Sequence, residues 1–227
     1  MRYQIFFIDL DQTLLDFNKS EKIALKNTFS ELKIKYSRKI YRVYHEINKT
    51  LWKRFEKGEI AREDIFENRF KQLFMQMGEK YNPNAPSLYF STLANNAHKL
   101  PKAERFLKKL KELGKIYILT NGRIFAQKSR IEKSGLQKYF DGVFISEQTQ
   151  YKKPDRQFFE YAAARVPNFD KNRCLMIGDS LSSDIKGGNN FGIDTVLFAK
   201  KPPKASDIVP TFYAKTYKSI IKFIKQS

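Results

Sequence analysis

Five short apolar runs, each too brief for an ordinary helix, limit the fold most: Ile5 to Ile8, Ile116 to Leu119, Val143 to Ile145, Cys174 to Ile177 and Thr195 to Phe198. A strand with one wet face alternates apolar and polar residues. A run without that alternation, bounded by turn residues, suits a strand covered on both faces. Helical patterns lie between most of the runs. Ala103 to Leu113 carries Phe106, Leu107, Leu110 and Leu113 on one stripe and precedes Gly114. Ile124 to Lys133 precedes Gly135, and Asp155 to Val166 follows Pro154 with Phe158, Phe159, Ala162 and Val166 as its apolar positions. Proline near the start and glycine just past the end are helix signals with steric causes. Strands alternating with helices predict an α/β class: a Rossmann-like parallel sheet flanked by helices through right-handed crossovers.

One stretch breaks the alternation. Between about Asp16 and Asn96 no strand pattern stands out, whereas Leu25, Phe29 and Leu32, then Ile40, Val43, Tyr44 and Ile47, then Ile65, Phe66, Phe70, Leu73 and Phe74 fall at helical spacing. The segment Tyr81-Asn82-Pro83-Asn84-Ala85-Pro86 reads as a loop. The expected organisation is an α/β core from residues 1–15 and 97–227, with an all-helical cap, residues 16–96, inserted after the first strand.

Composition narrows the class further. Of 227 residues, 41% are hydrophobic, with 20 Phe and 12 Tyr spread along the chain, so a packed globular protein is expected rather than a disordered one. The formal net charge of +19, from 43 Lys+Arg against 24 Asp+Glu, favours anionic partners such as phosphate esters. The lysines are dispersed, densest between Lys200 and Lys225, and no helix-turn-helix, finger or aromatic RNA-binding signature accompanies them. A basic solvated surface without a specific nucleic-acid partner is therefore expected. The single cysteine, Cys174, sits in an apolar run and reads as a small buried hydrophobe; no disulfide can form within the chain. The apolar run after Met1 is too short and too soon acidic for a signal peptide, and no run approaches the roughly 18 apolar residues of a membrane span. The expectation is a soluble, cytoplasmic protein with no membrane partner.

Ligands of open parallel sheets bind at the carboxyl ends of the strands. Here those ends carry Asp9-Leu10-Asp11-Gln12-Thr13, then Thr120-Asn121-Gly122, then Lys152-Lys153-Pro154-Asp155 in a loop, then Gly178-Asp179-Ser180 with Asp184 five residues after Asp179. Asp9 and Asp11, two apart, would share a face of a continuing strand. Close carboxylates repel unless a cation or proton intervenes. With Asp179 and Asp184 they make an oxygen-rich set suited to Mg2+. Thr120, Asn121 and Gly122 are expected to open a helix whose N–H groups welcome phosphate, and Lys153 to neutralise a transferring phosphoryl group. Each motif alone has a plain reading as a turn or helix cap. All four in this order, each at a strand end or in the loop after it, are hard to obtain from capping.

This pattern resembles the haloacid dehalogenase superfamily, in the branch with a helical cap inserted after strand one. Asp9-Leu10-Asp11-Gln12-Thr13-Leu14-Leu15 resembles its first motif, Thr120 the second, Lys153 the third, and Gly178-Asp179 with Asp184 the fourth. The resemblance implies a site between core and cap and a two-step phosphatase. Asp9 would be the nucleophile that forms an aspartyl-phosphate, and Asp11 the acid and then the base. Thr120 would hold a phosphoryl oxygen with help from the Asn121 N–H, and Lys153 would balance the charge. Mg2+ would sit on Asp9, the Asp11 carbonyl and Asp179, with Asp184 nearby. The dehalogenases of the family lack the second aspartate, so Asp11 argues for phosphate chemistry; phosphomutases keep both.

The insert carries a narrower likeness. Leu15-Asp16-Phe17-Asn18-Lys19-Ser20-Glu21 with Ala24-Leu25, Leu51-Trp52, Glu56-Lys57-Gly58-Glu59-Ile60 and Arg69-Phe70 resembles the YjjG-type nucleotidases. That implies a 5'-nucleotidase on pyrimidine nucleoside monophosphates, with Phe17, Asn18 and Trp52 as candidate substrate contacts. The same residues also read as cap core and solvated face. The alternatives are a sugar-phosphate or phosphoglycolate phosphatase, a phosphomutase, and a nucleic-acid-binding protein on an inactive scaffold of this kind.

Overall fold

The computed structural model describes residues 2–202 and 206–227. Along the chain run β1 (Ile5–Ile8), α1 (Phe17–Glu31), α2 (Arg38–Glu56), α3 (Arg62–Met77), α4 (Ala85–Ala94), α5 (Ala103–Lys111), β2 (Lys115–Thr120), α6 (Ile124–Ser134) and β3 (Gly142–Ile145). There follow α7 (Arg156–Ala163), β4 (Cys174–Gly178), a π-helical turn (Leu181–Ile185), α8 (Lys186–Phe191), β5 (Asp194–Phe198), β6 (Phe212–Ala214) and α9 (Tyr217–Gln226). The chain divides into an α/β unit, Met1–Phe17 with Ala97–Ser227, and a helical unit, Asn18–Asn96.

The α/β unit is built on one parallel sheet of order β3-β2-β1-β4-β5-β6. Because successive side chains point to opposite faces, each apolar run splits between two cores. Phe6, Ile8, Ile116, Ile118, Leu175 and Ile177 pack with residues of α5 and α9, including Phe106, Leu110, Ile220 and Ile224. Ile5, Phe7, Tyr117, Leu119, Cys174 and Met176 pack with Phe158, Phe159 and Ala162 of α7. Burial on both faces is why the runs lack alternation. Cys174 lies within the second core, and burial pushes its thiol well up, as befits an apolar packing residue.

The sheet has six strands where five were expected. The extra one, β6, has only three residues and pairs with β5 alone, so it leaves too short a period to read. Lys204, within the lysine-dense stretch from Lys200 to Lys225, lies outside the described residues. No helix among the described residues is long and apolar enough to cross a membrane.

The helical unit packs around Leu25, Phe29, Tyr44, Leu51, Phe70, Leu73, Phe74 and Tyr89. Tyr44, Phe70 and Tyr89 form an aromatic triangle with ring centroids 5.3–5.5 Å apart. Ser37 caps α2 by accepting from Ile40 N, and Asp64 reaches back to Ala61 N at the start of α3.

The strand order dictates where a site can form. From β1 the sheet grows one way to β2 and β3 and the other way to β4, β5 and β6. The carboxyl end of β1 is thus the point where connections diverge and leave a crevice.

Candidate active site

Asp9 follows β1 at that point and extends its pairing, donating its N–H to Ile177 O at 2.9 Å. The residue is 7% exposed. Lys153, from the loop before α7, is buried beside it. Its Nζ donates to Asp9 Oδ1 at 2.6 Å, Asp184 Oδ1 at 2.7 Å and Leu119 O at 2.7 Å. Three donors and three acceptors close the ammonium's shell. Asn121 fixes the backbone that carries it: Asn121 Nδ2 donates to Lys153 O at 2.8 Å, and Lys153 N donates to Asn121 Oδ1 at 2.9 Å. The Thr-Asn-Gly turn after β2 therefore holds the lysine loop through its asparagine side chain.

Asp184 arrives on the π-helical turn after β4. Its Oδ2 accepts from Ser180 N at 3.0 Å while Oδ1 takes Lys153. Room for it depends on Gly178, where a Cβ would lie 2.2 Å from Asp184 Cγ. Asp9, Asp179 and Asp184 each bring a carboxylate oxygen within 4.8 Å of the other two. Three carboxylates thus face one ammonium. Burial raises the Asp9 pKa to about 7, with Lys153 lowering it and Asp184 and Asp11 adding to the rise. Burial, then Asp9 and Asp184, hold the Asp179 carboxyl well above its usual range. Burial opposes the Lys153 charge, but Asp184 and Asp9 outweigh it and hold its pKa above the ordinary lysine value. With all three carboxylates ionised, two negative charges are in excess, and these hard oxygen donors, with partial access to solvent through Asp179, fit a divalent cation such as Mg2+.

Two expectations need correction. The strand on which Asp9 and Asp11 would share a face does not continue to Asp11, although the Asp11 charge still acts on Asp9. The strand ends at Ile8, and the chain turns through Gln12 at a positive φ of 60°. The Asp11 carboxylate instead meets Gln127 Nε2, which donates to its Oδ2 at 2.9 Å, and Arg130 Nη2, 2.6 Å from its Oδ1 in an ion pair without hydrogen-bond alignment. Nor do Thr120, Asn121 and Gly122 open a helix. α6 starts at Ile124, and its first N–H donates to Glu147 Oε2 at 2.6 Å, so a side chain already occupies that donor.

Thr120 ends β2, buried, with its Oγ1 accepting from Gln127 Nε2 at 2.7 Å. Gln127 and Arg130 were not found in the sequence. On α6 they read as polar positions of an amphipathic helix, and only the fold brings them against Asp11 and Thr120. Of the candidate substrate contacts, Phe17 lies in the α/β unit, half-buried, with the Arg130 guanidinium 5.6 Å from its ring centre. Asn18 and Trp52 belong to the helical unit, Asn18 exposed and Trp52 half-buried edge-on against Phe55.

Known proteins share this framework. Residues 3–192 match the model of the haloacid dehalogenase-like hydrolases. The chain is 40% identical over 200 residues to pyrimidine 5'-nucleotidase PynA of Streptococcus pneumoniae, covering 87% of this chain and 84% of the relative. It is 32% identical over 216 residues to pyrimidine 5'-nucleotidase YjjG of Escherichia coli, covering 93% of each. Among solved structures, the HAD-hydrolase YfnB of Bacillus subtilis bound to magnesium superposes with a TM-score of 0.94 at 31% identity, covering 99% of both chains. An L-2-haloacid dehalogenase of Xanthobacter autotrophicus, at 17% identity and a TM-score of 0.73, shares the fold. With the match spanning Asp9, Thr120, Lys153 and Asp179, the chain belongs to the haloacid dehalogenase-like hydrolase family.

Proposed function

We propose that this hydrolase is a Mg2+-dependent phosphomonoesterase that works through an aspartyl-phosphate on Asp9, with pyrimidine nucleoside 5'-monophosphates as its substrates. The observation that carries the chemistry is the buried Asp9–Lys153–Asp184 contact at the divergence point of the sheet, with Asp179 beside it. The substrate class is supported by PynA and YjjG, two pyrimidine 5'-nucleotidases aligned over most of this chain.

In this reading an oxygen of Asp9 forms a bond to phosphorus while the ester P–O bond breaks, and Asp11 gives its proton to the departing alkoxide. Water then attacks phosphorus, Asp11 takes its proton back, and the Asp9–phosphorus bond breaks to release phosphate. Splitting one displacement into two is the benefit of a covalent intermediate. Lys153 favours the Asp9 anion and orients it, and Thr120 and the Asn121 backbone would face the transferred group. Asp9, the Asp11 carbonyl and Asp179, with Asp184 behind them, would hold the metal. When bound it supplies charge stabilisation to the phosphoryl oxygens.

The test is phosphate release from a panel of nucleoside monophosphates and sugar phosphates, with Mg2+ or with chelator, for wild type and Asp9→Asn. The expected result is release that favours dUMP, dTMP or UMP, stops with chelator, and falls by at least about 10^3-fold in the variant, the scale of losing an essential group. Release favouring sugar phosphates would retain the mechanism and overturn the substrate class. Glyceraldehyde 3-phosphate phosphatase of Pyrococcus abyssi, 30% identical over 202 residues, makes that arm necessary. An inactive wild type would overturn the phosphatase reading.

A further inference from the structure

Gln127 and Arg130 stand three apart on α6, each 1% exposed. Arginine carries donors only. The Gln127 atom 2.9 Å from Arg130 Nη1 must therefore be the amide oxygen. That settles which way the amide faces. Its nitrogen has two hydrogens, and both are spoken for: one goes to Asp11 Oδ2 at 2.9 Å, the other to Thr120 Oγ1 at 2.7 Å.

The consequence falls on Thr120. A hydroxyl has two lone pairs and one hydrogen. One lone pair takes Gln127 Nε2, and the other faces the Gly122 N–H in a long contact of 3.4 Å. With both acceptor directions met by N–H groups, the hydroxyl hydrogen is left to point away from them. The space for this is also specific. A Cβ at residue 122 would sit 2.5 Å from Gln127 Cδ and Nε2, so the glycine of the Thr-Asn-Gly turn is what admits the glutamine.

We infer that Gln127 is a positioning residue that makes Thr120 an obligate hydrogen-bond donor to the transferred phosphoryl group and, with its second hydrogen, fixes the Asp11 carboxylate, Arg130 locking the amide against rotation. The inference rests on the phosphatase reading. Gln127 acts only through Thr120 and Asp11.

Gln127→Glu tests it, because the shape is retained and the hydrogens are removed. The new carboxylate accepts where the amide donated. It draws the Thr120 hydrogen inward and faces Asp11 as a like charge. The expected kcat for Mg2+-dependent phosphate release falls by roughly 10^2–10^3-fold, the scale of removing one preorganised donor, with a change in KM of about threefold at most. Gln127→Leu leaves the hydroxyl free to turn, so its loss should be smaller, on the order of tenfold. Thr120→Val should cost little when added to Gln127→Glu, because the donor it removes is already misdirected. Gly122→Ala, which crowds Gln127 without touching its chemistry, should share the selective loss of kcat and serves if Gln127→Glu does not fold, as judged by thermal melting. If wild type is active and a folded Gln127→Glu keeps its kcat within about threefold, or if Thr120→Val and Gln127→Glu add fully, the inference fails while the phosphatase reading stands. If wild type releases no phosphate from any ester, both fail.

Discussion

Lys153 decides the energetics of the strand-end cluster, because it is the buried cation that meets both Asp9 and Asp184. A buried ion pair need not be a net stabiliser, but removing one partner leaves the other charge uncompensated, at a cost of roughly 3–5 kcal/mol. Lys153→Met should therefore be destabilised by about that amount in urea unfolding at pH 8 with chelator present. At pH 5 the penalty should shrink, since burial and mutual repulsion already raise the Asp9 and Asp179 pKa values and the neutral acids need no counter-charge. Added Mg2+ should recover part of the loss at pH 8. A penalty equal at both pH values would show that lost methylene packing, not charge, sets the effect. The residues of this cluster were legible because Asp9 and Asp179 stand directly after apolar runs, where a parallel sheet delivers side chains to one edge, and Lys153 and Asp184 lie in the segments that follow such runs. Gln127 and Arg130 had no such marker. Their spacing on α6 fits any solvated helix face, and the fully buried state that makes them informative is a property of packing. The turn at Gln12 was hidden for the same reason: nothing in the motif announces a positive φ at a glutamine.

At the scale of elements, the helical unit holds a polar network that its apolar periodicity conceals. Glu21 of α1 is fully buried and accepts from Asn48 Nδ2 at 2.8 Å, with His45 Nδ1 2.7 Å away and Tyr41 OH at 3.2 Å, all three on α2. Asn48 Oδ1 lies 3.4 Å from Nη1 of Arg69 on α3, whose guanidinium sits 4.5 Å from the ring centres of Tyr89 and Phe90 on α4. The network joins all four helices. The positions of Leu25, Phe29, Ile47, Phe70 and Phe74 predicted helices, but not which helix faces which; this polar chain and the aromatic triangle help set those neighbours. The hydrogen bond to Glu21 raises the His45 pKa, with burial acting against it. A folded-state value above the unfolded one of about 6.5 means that the contribution is fully present below about pH 6.5 and is lost as pH rises through the folded value. The stability difference between wild type and His45→Gln should thus be larger at pH 5.5 than at pH 9. The pH-dependent part should be under about 1 kcal/mol, because the imidazole is 33% exposed and water screens it. Equal differences at the two pH values would place His45 outside the charge balance of Glu21.

For the molecule as a whole, the unexplained quantity is the net charge of +19. Fold stability gives no reason for it, since self-repulsion of so many cations opposes compaction. When ionised, the three-carboxylate cluster is negative, opposite in sign to the net charge of the chain. A net-basic chain with an acidic cluster suited to a cation would favour capture of a phosphate ester dianion: long-range attraction would bring the ester in, and a cation held by the carboxylates would offset their local repulsion. Attraction of this range is screened within a Debye length, roughly 30 Å at 0.01 M salt and about 8 Å at 0.15 M. With Mg2+ held constant, kcat/KM for a nucleoside monophosphate should fall several-fold as KCl rises from about 0.01 to about 0.2 M, and kcat should stay level, because steering affects encounter and not the bonded steps. The neutral-surface outcome is equally readable. If kcat/KM is flat over that range, capture owes nothing to the dispersed lysines. If kcat falls in parallel, salt acts on the carboxylate cluster or its metal, and the +19 charge needs a reason outside the reaction.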